Sequence, residues 1–118
     1  MSDVFPGAGH KYLVDFKQVG GPAHFKVQLD FKSDVSLVYT GVNGDGSLGE
    51  SSDPMDITVE PIRDQLFLVT WKETLGTTVV HLEDYKNNTI ITNITDPNTT
   101  DPTKPTFVKF YGPMTQIS

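Results

Sequence analysis

The sequence has 118 residues, enough for one domain over 1–118 and too little for two that each fold alone. Nine Lys and Arg against fifteen Asp and Glu leave a net charge of −6, which argues against a nucleic-acid partner, since a basic stripe is needed there, and against an anionic membrane surface. Without cysteine there is no disulfide, thiolate metal site or Cys nucleophile; with no signal-peptide pattern at Met1-Ser2-Asp3 and no run of roughly 18 apolar residues, a cytoplasmic protein is expected.

Ten glycines, eight prolines and fourteen threonines favour strands joined by turns. Period-two alternation recurs along the chain. Tyr12, Val14 and Phe16 form a first strand, closed by Gly20-Gly21-Pro22. Phe25, Val27, Leu29 and Phe31 then alternate with Lys26, Gln28, Asp30 and Lys32, the pattern of a half-buried strand. Val35, Leu37 and Tyr39 follow, before a Gly-rich turn from Asn43 to Gly49. Met55, Ile57 and Val59 make the next strand, and Leu66–Glu73 one that is apolar on both faces at its start. Strands near 77–84, 89–95 and 106–112 complete a set of eight.

Short connections without crossover helices make successive antiparallel pairing the economical topology. Closure removes exposed edges. The expected fold is therefore all-β, a small eight-stranded antiparallel up-and-down barrel whose interior is filled or holds one small ligand. The Pro-rich stretch 96–105 reads as a loop, either a lid over one barrel end or a solvated connection.

Two turns fix the parity of the central strands. Gly76 suits the last position of a three-residue hairpin over Thr74-Leu75-Gly76, which pairs Glu73 with Thr77, Trp71 with Val79 and Val69 with His81. Asn87-Asn88 suits a two-residue turn, which would set Glu83 opposite Thr92 and His81 opposite Ile94. His81 then points inward between apolar neighbours.

Glu73 is the first candidate for chemistry, as a general acid/base at a hairpin mouth; the plainer reading is a solvated rim carboxylate. His81 is the second, as a proton-transfer group or as a core histidine with one backbone partner. The favoured register separates the two by roughly 13 Å, so no Glu73–His81 dyad is expected. Arg63 could clamp a ligand carboxylate or pair at the surface with Asp64 or Glu60. Trp71, Tyr12 and Tyr39 offer hydrogen-bond donors to a ligand, with Val69 and Thr92 beside them.

Other patterns fail on inspection. Asn43-Gly44-Asp45-Gly46-Ser47 begins like a calcium loop, but Leu48 and Pro54 stand where the glycine and the bidentate glutamate belong. His81-Leu82-Glu83 lacks a second ligand pair, so no metal site and no cofactor are expected. The sequons at Asn87, Asn93 and Asn98 read as coincidence.

Val69-Thr70-Trp71-Lys72-Glu73, the short glycine turn, Thr78-Val79-Val80-His81 and the acidic-aromatic Glu83-Asp84-Tyr85 together resemble the MoaF-like domains. These are calycin (lipocalin-like) barrels related to the molybdenum cofactor biosynthesis protein F. Thr92-Asn93-Ile94-Thr95, Phe5-Pro6-Gly7 and Pro61-Ile62-Arg63 fit the same pattern. Trp71–Thr77 is also similar, more distantly, to the Trp-Thr-Glu-Pro-Thr-Gly-Thr segment of the phenolic acid decarboxylases. That resemblance implies an active-site role for Glu73 and a tyrosine role for Tyr12. The arginine motif of those enzymes has no match here; Arg63 stands elsewhere.

The leading expectation is a binding barrel that holds one small, largely apolar organic molecule, a carboxylate among the candidates, between Trp71, Glu73, His81 and Tyr39. The alternative is a cofactor-independent lyase or isomerase in which Glu73 moves a proton on a substrate held by Tyr12 or Arg63. A filled scaffold barrel, a homodimer through outer Leu66 and Leu68, is the third.

Overall fold

The computed structural model describes residues 4–98 and 100–118. The N-terminal Met1-Ser2-Asp3 and Thr99, part of the 96–105 loop and of the third sequon, lie outside the described residues.

The strands are β1 (Lys11–Gln18), β2 (His24–Phe31), β3 (Ser36–Val42), β4 (Leu48–Ser51), β5 (Met55–Asp56), β6 (Thr58–Arg63), β7 (Leu66–Lys72), β8 (Thr78–Asp84), β9 (Thr89–Asp96) and β10 (Thr106–Gln116). All pairings are antiparallel and fall in one ten-stranded sheet, ordered β4-β3-β2-β1-β10-β9-β8-β7-β6, with β5 on β3. The all-β class and the successive pairing are as the alternation predicts. The strand count is corrected from eight to ten, because the Gly-rich turn after β3 carries the short β4 and because the segment from Met55 to Arg63 is broken at Ile57.

That break also corrects the expected closure. β5 pairs with β3, Ile57 N donates to Val35 O at 3.0 Å, and from Thr58 onward the chain pairs with β7 instead. The segment thus changes partner midway, and the hydrogen-bonded path ends at β4 on one side and β6 on the other. Pro61 in β6 has no N–H to offer a further strand, and the register shifts beside it.

One face of the curled sheet carries the core. Alternate residues supply it: Tyr12, Val14 and Phe16; Val27, Leu29 and Phe31; Phe67, Val69 and Trp71; Val79, His81 and Glu83; Ile90 and Thr92. Leu66 and Leu68 are half-buried on the other face, Leu68 directly beside Leu82. β10 meets β1 so closely at Gly112 that a Cβ there would stand 1.8 Å from the Asp15 carbonyl oxygen.

The two ends of the curl differ. At one, the segment before β1 folds inward and Phe5 stands edge-on to Phe31, Phe67 and Tyr85 at 5.1, 5.4 and 5.6 Å between centroids. Gly7 lets this plug close, since a Cβ would lie 2.7 Å from both the Phe5 ring and the Tyr85 hydroxyl. At the other end lie the β7–β8 hairpin and the loop after β9, where Thr77 Oγ1 donates to Asp96 Oδ1 and Pro97 packs on Gly76. That loop is tied internally by Asn98 Oδ1, which accepts from Thr100 N and Asp101 N.

Candidate functional site

The β7–β8 hairpin has the predicted register. Lys72 pairs with Thr78, Trp71 with Val79 and Val69 with His81, and Gly76 takes a φ of 95°. Glu73 N donates to Thr77 O at 2.7 Å and Gly76 N to Glu73 O at 2.9 Å, closing the three-residue loop. Trp71 and Glu73 therefore share the inner face at the open end.

The β8–β9 register is corrected. His81 lies opposite Thr92 and Glu83 opposite Ile90, because the loop spans four residues rather than two. Asp84 is the cause: Oδ1 accepts from Lys86 N and Asn87 N, both at 3.0 Å, and Oδ2 from Asn87 Nδ2 at 2.8 Å. These bonds hold the Asp84 carboxyl below its ordinary value, the Asn87 side-chain bond contributing most. Asn88 completes the turn with a φ of 55°. A slip of two residues preserves every face, so His81, Glu83 and Thr92 still point inward.

Above these residues the open end holds a cavity of about 330 Å³. Phe16, Phe25, Val27, Trp71, Val79 and Ile94 supply apolar wall; Lys26, Tyr39, Glu73, Thr77, His81, Thr92 and Asp96 supply polar groups.

Two polar systems meet there. At the mouth, Trp71 Nε1 donates to Glu73 Oε2 at 3.2 Å and the Tyr39 hydroxyl to Oε1 at 3.5 Å. Burial first, then the Glu73 charge and the bond donated to it, raise the Tyr39 pKa. At the floor, His81 Nδ1 lies 2.7 Å from Glu83 Oε2, and the Tyr85 hydroxyl donates to Oε1 at 2.6 Å. Glu83 is fully buried, at 0% exposure. Burial, the Glu83 charge and the bond donated to Glu83 push the Tyr85 phenol far above its ordinary range, and burial with the same charge raises Tyr12.

Which of His81 Nδ1 and Glu83 Oε2 donates depends on the His81 tautomer. His81 lines the cavity, and its Nε2 has no hydrogen-bond partner among the described residues. The His81 ring stands edge-on to Trp71, 4.8 Å between centroids, so the indole links the floor to the mouth. Thr92, 1% exposed and opposite His81, has a buried Oγ1 with no partner. An unpaired buried hydroxyl costs about 1–3 kcal/mol.

The structure gathers Glu73, His81, Trp71, Tyr39 and Thr92 around one cavity and leaves the other three candidates outside its lining. Val69 is fully buried in the core beside His81. Tyr12 belongs to the plugged end, where its ring meets Phe31 and Tyr85 and its hydroxyl donates to Pro6 O at 3.4 Å. Arg63 is exposed on the edge strand β6, close enough to Asp84 to help lower its pKa. Glu73 and His81 share no hydrogen bond, as the register implied. Glu83 and Tyr85 were not singled out, although spacing by two from His81 already places Glu83 on the inner face.

A family model described as MoaF-like matches residues 8–114. The chain belongs to the MoaF-like family. Among solved structures, this MoaF-like chain is similar to a "putative beta-lactamase" from Burkholderia vietnamiensis, with a TM-score of 0.72 and 19% identity over 98% of this chain and 100% of that one. At that identity the likeness concerns the fold. No curated protein matches the MoaF-like sequence.

Proposed function

We propose that this MoaF-like chain is a small-molecule-binding protein of the calycin type, which takes one small, largely apolar organic ligand into the cavity at the open end of its curled sheet. The observation that carries the reading is the cavity itself. A volume of about 330 Å³ lies at the lower end of ordinary ligand sites, its wall is mostly apolar, and its polar groups converge from β2, β3, the β7–β8 loop, β8 and β9. A scaffold with a filled core would not need that space, nor leave Thr92 Oγ1 unpaired at its floor.

A catalytic reading has one specific support, the Glu83–His81 pair, whose imidazole lines the cavity. In it His81 Nε2 moves a proton on the bound molecule, with Glu73 as a second acid/base at the mouth. Binding is common to both readings and comes first.

The single tryptophan of the sequence lines the cavity, so its emission reports occupancy. A library of small ring compounds should contain members that change Trp71 emission saturably at one per chain. If every compound gives no change, or only a linear non-saturating one, the reading is wrong.

A further inference from the structure

We propose that the outer face of β7, β8, β9 and β10 joins two copies of this chain in a two-fold symmetric dimer. The proposal is independent of the ligand reading, since the cavity opens on the inner face.

One cross-strand row carries the inference. Through the pairings it runs Lys17 on β1, Tyr111 on β10, Ile91 on β9, Leu82 on β8, Leu68 on β7 and Glu60 on β6. Direct partners share a face, so all six side chains stand on the outer side. The solvent face of an antiparallel sheet calls for polar residues, yet the four central positions are large and apolar. Tyr111 is 53% exposed and Ile91 40%, with Leu82 and Leu68 half-buried beside them. Lys17 and Glu60 are exposed, and neither joins an ion pair among the described residues.

The row is complementary to its own reverse: a cation, four apolar side chains, an anion. A two-fold axis parallel to the strands, passing between Ile91 and Leu82, lays one copy on the other with the row reversed. Lys17 then meets the partner's Glu60 at both ends, Tyr111 meets the partner's Leu68 and Ile91 the partner's Leu82. The neighbouring rows bring no like charges together, since Lys109 falls opposite Thr70 and Asp84 opposite Thr89. An axis along the row would instead stack Lys17 on Lys17 and Glu60 on Glu60. Charge thus selects a second copy and its orientation. The long side chains at the two ends suit a convex face, where the gap between two copies widens. Five strand spacings of ~4.8 Å make the row about 24 Å long, on the scale of an ordinary interface of about 800 Å² per partner. A net charge of −6, with Glu60 at one end of the row, disfavours an anionic lipid surface as the occupant.

The test is sedimentation equilibrium of the full chain at tens of micromolar. The parent should sediment at twice the mass of the 13.0 kDa chain. Ile91→Lys puts a charge at the centre of the interface twice, and self-association should weaken by at least about tenfold. Glu60→Lys, at the rim, should weaken it about three- to tenfold. Adding Lys17→Glu to Glu60→Lys should restore the affinity of the parent, a rescue that a general loss of folding would not give. A monomeric parent, an Ile91→Lys variant that associates as tightly as the parent, or a double variant no tighter than Glu60→Lys overturns the inference. A monomeric parent that floats with phosphatidylcholine vesicles also overturns it and assigns the face to lipid.

Discussion

Glu83→Ala removes a carboxyl group that two buried side chains share. Glu83 is 0% exposed and His81 3%, and the two bonds to the carboxylate are 2.6 and 2.7 Å long. The substitution strands the Tyr85 hydroxyl and His81 Nδ1 together, at about 1–3 kcal/mol each. The expected loss is therefore about 4 kcal/mol, a large part of the roughly 5–15 kcal/mol of a small domain. In melting temperature it corresponds to about 16 °C, at about 4 °C per kcal/mol for a chain of this size. Urea denaturation followed by Trp71 emission measures it directly. Glu73→Ala is the control: that carboxylate is half-buried and its bonds are 3.2 and 3.5 Å long, so its loss should stay below about 1 kcal/mol. Equal losses in the two variants, or a Glu83→Ala loss under about 1 kcal/mol, would refute the reasoning.

The raised Tyr85 pKa has a signed consequence. Its folded value lies above the unfolded one of about 10, so its contribution is fully present below that pH and is lost as the pH climbs towards the folded value. Stability should fall with pH above about 10, by up to ~1.4 kcal/mol per pH unit from this residue, and Tyr85→Phe should flatten the slope in denaturation curves taken across that range. Gly112→Ala puts a Cβ 1.8 Å from the Asp15 carbonyl oxygen, so β1 and β10 must separate; a loss of about 3 kcal/mol is expected in the same denaturation assay. Gly41 lines the cavity and a Cβ there meets nothing within 4 Å. Gly41→Phe should therefore keep the melting temperature of the parent while abolishing the Trp71 response to bound compounds.

Much of this geometry is legible in the sequence, for identifiable reasons. The strict alternation of Phe25, Val27, Leu29 and Phe31 specifies a strand whatever surrounds it, and Gly76 specifies its hairpin because few other residues take its φ of 95°. The β8–β9 register was not legible, because Asp84 side-chain bonds stabilise a longer loop that competes with the Asn87-Asn88 turn. The break at Ile57 arises where one segment serves two strands in turn, a long-range event that leaves no periodic signature. Of the site, Glu73, His81, Trp71 and Thr92 follow from parity in the neighbouring strands β7, β8 and β9, whereas Tyr39 comes from β3. Tyr12 and Arg63 do not reach the cavity, because periodicity fixes the face of a residue and not its height along the curled sheet. Glu83 carried a signal, its spacing by two from His81, but its meaning depends on Tyr85 turning inward to meet it.

The most direct measurement of the central claim is native mass spectrometry of the purified protein beside Gly41→Phe. Binding in the cavity predicts a satellite above the bare 13.0 kDa chain at a stoichiometry of one, present in the parent and absent from the variant. A parent spectrum showing only the bare chain, or the same added mass on both proteins, contradicts it.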